Sequence, residues 1–107
     1  MKPPVQWVSG LMLDEKKIRQ IAREVATTNL SSANFTSILS GTAIDSEGHE
    51  VLRITIVIKP GAASKIEGDA ALDTLVQIHD RLRKEGEERF PIVEYATLKE
   101  LTESGEH

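Results

Sequence analysis

A chain of 107 residues, 39% hydrophobic and 28% charged, carries enough apolar side chain for one core, is too short for two, and is neither disordered nor fibrous in composition. The absence of cysteine excludes disulfides, thiolate-bound zinc and a thiol nucleophile, and fits a reducing, cytoplasmic compartment. A formal net charge of −4 opposes nonspecific nucleic-acid binding, which draws its energy from Lys and Arg neutralising phosphates.

Residues 1–11 carry Pro3, Pro4, Trp7 and Gly10 and differ in character from the rest of the chain. They read either as a flexible arm or as a short extended segment in which Val5, Trp7 and Val8 pack on the body or on a second copy. The stretch lacks the continuous apolar centre of a signal peptide, and nowhere does an apolar run approach the roughly 20 residues of a membrane span.

Asp14 is a helix cap, and Ile18, Ile21, Ala22 and Val25 come after it at the spacing of one buried stripe, predicting a helix that ends near Thr27 to Asn29. Its other face holds Lys16, Lys17, Arg19, Gln20 and Arg23, the most basic surface in the chain. From Asn34 to Ile44, β-branched and aromatic residues favour a strand, and Asp45-Ser46-Glu47-Gly48 supplies turn chemistry before a second strand from Val51. In that strand Leu52, Ile54, Ile56 and Ile58 point to the core, while Val51, Arg53, Thr55 and Val57 point away. Gly41 is expected to mark a bulge or a close backbone approach, and Pro60-Gly61 ends the hairpin.

Asp69 reads as the cap of a second helix whose apolar stripe is Leu72, Leu75, Val76, His79 and Leu82, closed at Gly86 after Arg81, Arg83 and Lys84. Phe90 to Ala96 then forms a third strand, with Val93 and Tyr95 on one side, Ile92, Glu94 and Ala96 on the other, and Pro91 favouring its first positions or a sheet edge. Thr97 and Glu100 have the spacing of a capping box, so a short last helix with Leu98 and Leu101 is expected before the end frays.

The order α-β-β-α-β-(α) predicts an α+β two-layer sandwich. Its sheet is expected to be mainly antiparallel, with at least three strands and with the helices on one face. The domain is expected over 12–103, with 104–107 a frayed tail. Open sheet edges point to a homodimer.

The chemistry on offer is sparse. Asp45, Glu47, His49 and Glu50 form an acidic turn without the ordered ligand series of a calcium loop, and no metal or cofactor is expected. His79 reads as a partly buried helix histidine, whereas His49 and His107 are expected to be exposed. Pro60-Gly61-Ala62-Ala63-Ser64-Lys65 lacks the second glycine and the Lys-Ser/Thr pair of a phosphate loop, and neither a G-x-S-x-G elbow nor an H-E-x-x-H pair occurs, so no catalytic residue is assigned. The mixed-charge run Arg81–Pro91 is the best candidate contact surface, with Arg89, Phe90 and Tyr95 as the partner-binding residues.

These features point to a small non-catalytic interaction or regulatory protein of antitoxin, immunity or adaptor type. One alternative is an enzyme or ligand-binding domain with a cleft between sheet and helices, using His79, Arg53 or Tyr95. A second alternative is nucleic-acid binding through Lys16, Lys17, Arg19 and Arg23.

Overall fold

The computed structural model describes residues 13–104; the expected N-terminal arm and the last residues of the tail lie outside the described residues. The first element is α1 (Glu15–Leu30), where the Asp14 carboxylate accepts the Lys17 N–H at 2.8 Å and so satisfies one of the free amides of the first turn. Ile18, Ile21, Ala22, Val25, Ala26 and Leu30 form its buried stripe, which runs one residue past the expected end. Strands β1 (Phe35–Ile44) and β2 (Glu50–Ile58) form the hairpin. Its turn is closed by Asp45 Oδ1, which accepts the N–H groups of Glu47 and His49, and Gly48 sits at φ 89°, a conformation that penalises a Cβ. After a 3₁₀ turn (Ala62–Lys65), α2 (Gly68–Lys84) leads to β3 (Phe90–Thr97) and to α3 (Leu98–Ser104). The capping box at the start of α3 is formed: Thr97 N–H donates to Glu100 Oε1 at 2.8 Å and Glu100 N–H to Thr97 Oγ1 at 3.2 Å.

The sheet has the order β1-β2-β3. β1 and β2 pair antiparallel, with Ile38 beside Ile56, whereas β2 and β3 pair parallel, with Ile54 beside Val93. The sheet is therefore mixed rather than mainly antiparallel. The reason is α2, which returns the chain to the end where β2 began and makes β2-α2-β3 a crossover unit. As the central strand, β2 is buried on both faces apart from Glu50 and Arg53, as its near-continuous apolar run requires.

Leu52, Ile54, Ile56 and Ile58 meet the stripe of α1 together with Ile78 and Leu82 of α2 in one core cluster. Val51, Thr55 and Val57 alternate with them, face the other way and are buried outside that cluster. Three local expectations change. Gly41 pairs regularly with Arg53, and the register shift lies between Phe35 and Ser37 instead. The cap of α2 is Glu67, with no side-chain capping bond, and Asp69 falls in the first turn. The buried face of α2 is Thr74, Ile78 and Leu82, which leaves Leu72 and Val76 exposed.

Candidate functional site

Glu87 organises the end of the sheet where β2 and β3 begin. It succeeds Gly86, whose φ of 96° turns the chain out of α2. Its side chain is 0% exposed, and it accepts the Leu13 N–H at Oε1 (2.8 Å) and the Arg89 N–H and Nε at Oε2 (both 2.8 Å), with Arg89 Nη2 reaching Oε1 at 3.0 Å. Arg89 also donates from Nη1 to Glu50 Oε2 at 3.3 Å and from Nη2 to the Leu13 carbonyl at 3.2 Å. Burial alone would push the Glu87 carboxyl up, but the bonds from Arg89 and Leu13 outweigh it and hold it below its usual value. The hydrogen-bonded Glu87 carboxylate in turn raises Arg89. Three stretches distant in sequence are thus clasped: the entry to α1, the start of β2 and the start of β3.

Of the three candidate contact residues, Arg89 is accordingly 13% exposed with its guanidinium engaged inside the molecule. Phe90 is 55% exposed, and its ring meets His79 edge-on at 5.2 Å. Tyr95 is half-buried beneath α2; its hydroxyl donates to the Ala71 carbonyl at 3.1 Å, and burial pushes the phenol up.

Phe90 joins a larger apolar flank. Leu72 and Val76 stand one turn apart on α2 and on the same side as His79, at 58% and 55% exposure; Ile92, 41% exposed, alternates with Val93 and lies beside Arg53 on the sheet face away from α2. This flank borders β3, an edge strand whose outer side pairs with no described strand. Its signal was present in the sequence. Ala70, Ala71, Leu72, Leu75, Val76, Ile78 and Leu82 are more apolar residues than one buried stripe of a surface helix needs. Glu87 had no such signal, since nothing in Glu87-Glu88-Arg89 distinguishes the buried acid from its neighbour.

The residues named for a catalytic cleft are not brought together. Arg53 lies on the sheet face away from the helices, its Nε 3.1 Å from Glu94 Oε2, while Tyr95 faces α2 and His79 packs on Phe90. A shallow recess of about 580 Å³ beside the hairpin turn is lined by His49, Val51, Arg89 and Phe90 among others, and a groove of about 470 Å³ between α1 and α2 is bridged by Arg81 Nη2 to Glu24 Oε1 at 2.7 Å. His49 is exposed, with Nδ1 3.5 Å from Asp45 and 3.7 Å from Glu47. Among the described residues, no group of three or more His, Asp or Glu is arranged to hold a metal ion, and no helix is long and apolar enough to cross a membrane. On the basic face of α1, Arg19 Nη1 donates to Ser40 Oγ at 3.1 Å and lies 3.5 Å from Glu15, and Arg23 lies over the Phe35 ring at 5.7 Å.

No protein-family model matches the chain, and neither a curated protein nor a solved structure is found to be similar to it.

Proposed function

We propose that this is a small non-catalytic interaction protein, of regulator, antitoxin, immunity or adaptor type, acting in the cytoplasm and binding another protein through the flank between α2 and β3. The observation that carries this reading is the exposure of three large apolar side chains, Leu72, Val76 and Phe90, on two neighbouring elements beside a strand edge that pairs with no described strand. Apolar patches of that kind on small domains mark binding surfaces, and aromatic residues at their centre supply most of the energy. Phe90 is the anchor. Arg89 fixes the start of β3 beneath it, and Tyr95 ties β3 to α2, so the candidate contact residues act as one ligand-facing side chain on two supports.

The test is affinity capture from the native lysate with nuclease treatment, comparing the wild type with Val76→Glu and Phe90→Ser. A stoichiometric protein partner retained by the wild type and lost by both variants supports the reading. A wild type that stays monomeric and retains nothing overturns it. A homodimer through the same flank is the second reading, favoured because Leu72, Val76 and His79 form a single apolar stripe that an antiparallel copy of α2 would complement. Light scattering separates the two: a homodimer has twice the monomer mass in the purified wild type and reverts to monomer in Val76→Glu.

A further inference from the structure

The opposite edge of the sheet carries a different surface. β1 runs for ten residues, Phe-Thr-Ser-Ile-Leu-Ser-Gly-Thr-Ala-Ile, with neither a charge nor a proline, whereas β3 holds Pro91 and Glu94. Charges and prolines are the usual devices that keep an edge strand from pairing, so β1 is the undefended edge. Asp45 N–H bonds the His49 carbonyl across the hairpin at 2.9 Å. The alternation of an antiparallel ladder then turns the backbone groups of Ala43, Gly41 and Leu39 towards β2 and those of Ile44, Thr42, Ser40 and Ile38 outward. No described strand lies beside them.

The surroundings select what can pair there. α1 lies over β1, as the Arg19–Ser40 bond and the stacking of Arg23 on Phe35 show. Two copies paired β1 to β1 would bring their α1 helices onto strands about 4.8 Å apart, where packed helices need roughly 8–10 Å. The same pairing would also set the arginines of one α1 against those of the other. An extended segment without a covering helix meets neither obstacle. Its side chains on the helix side would lie under Arg19, 42% exposed, and Arg23, also exposed. One turn of helix separates the two arginines by about 6 Å, close to the roughly 6.6 Å between residues i and i+2 of a strand. The residue between two such acids would point to the other side, towards Leu39, which is 47% exposed.

We infer that the β1 edge is a second binding site, for an extended acidic peptide segment of a partner protein that adds a fourth strand, with an acid-apolar-acid core read by Arg19, Leu39 and Arg23. Backbone bonds to Ile38, Ser40 and Thr42 supply register, and the two arginines supply the choice of charge. Glu15, which shares Arg19 and Ser40 in the unbound protein, is the group the peptide displaces.

The experiment titrates the full chain with the peptide Thr-Val-Glu-Val-Glu-Val-Thr, its Glu-to-Lys counterpart and a version N-methylated at both glutamates and the central valine, which removes amide donors facing β1 in either strand direction, with amide NMR and fluorescence anisotropy as readouts. The expected result is binding of the acidic peptide with shifts and slowed exchange at Ile38, Ser40 and Thr42, and about tenfold weaker binding of the lysine peptide or at high salt. Binding by the N-methylated peptide should be lost. Arg19→Ala should weaken the acidic peptide and Glu15→Gln should tighten it, two opposite effects that loss of folding would not produce. Equal affinity for the acidic and lysine peptides, absence of binding, or shifts confined to the α2–β3 flank would overturn the inference. The reading of the flank stands or falls separately, on Val76→Glu and Phe90→Ser.

Discussion

At the scale of single residues, the Glu87–Arg89 clasp is the group most sensitive to change. Removing one member of a buried, hydrogen-bonded ion pair leaves the other charge and its donors without compensation, a loss of about 3 kcal/mol. Glu87→Ala is expected to lower stability by that order, with the urea midpoint falling at unchanged slope. The pH dependence rests on the direction of the Glu87 shift. Its folded pKa lies below the ordinary glutamate value of 4.5, so its contribution is complete above that value and is lost as pH falls through the lower, folded one. Glu87→Gln should therefore flatten the acid limb of stability against pH; an unchanged acid limb would assign it to other carboxylates. Tyr95 offers the converse case and is the only tyrosine in the chain. Burial raises its phenol above 10.0, so the folded state favours the protonated form and stability falls as pH rises past that value. Near-ultraviolet titration should show phenolate appearing above pH 10.0 and together with alkaline unfolding.

At the scale of elements, α2 separates two kinds of apolar residue that look alike in sequence. Ile78 is 0% exposed within the core cluster, and truncation to Ala should cost about 2–5 kcal/mol through lost burial and an unfilled cavity. Val76, 55% exposed two residues earlier, should tolerate Lys within about 0.5 kcal/mol in the isolated monomer. Denaturation of the two variants side by side tests the orientation of the helix; a costly Val76→Lys would mean that the stripe is already covered in solution. In the hairpin, Gly48→Ala places a Cβ at φ 89° and should cost on the order of 1 kcal/mol, although a Cβ there would meet no atom within 4 Å. The penalty is thus one of backbone conformation alone.

At the scale of the molecule, three strands under two helices form a sheet whose two edges, of unlike character, pair with no further strand among the described residues. β3 is flanked by apolar side chains and interrupted by Pro91, while β1 is uncharged and overhung by arginines. A net charge of −4 spread over such a surface sets copies of the chain against one another by repulsion without hiding either edge. Interaction through β1 should weaken with salt, because the Arg19 side chain is 42% exposed and Arg23 is exposed, whereas interaction through the α2–β3 flank should be nearly insensitive to it. Salt dependence of partner capture therefore indicates which surface is in use.

Much of this architecture is local and could be read in order along the chain. The cap at Asp14, the alternation in Leu52 to Ile58, the turn at Asp45 to Gly48 and the box at Thr97 and Glu100 are set by neighbours a few residues apart, and each stands in the structure. What the sequence left open depends on residues far apart. The parallel placement of β3 results from how α2 packs across the sheet, and the rotation that buries Thr74 and Ile78 instead of Leu72 and Val76 results from meeting α1. Arg89 is a sequence neighbour of Glu87, but Leu13 reaches the same carboxylate only through folding, and periodicity cannot encode a contact between residues 74 positions apart.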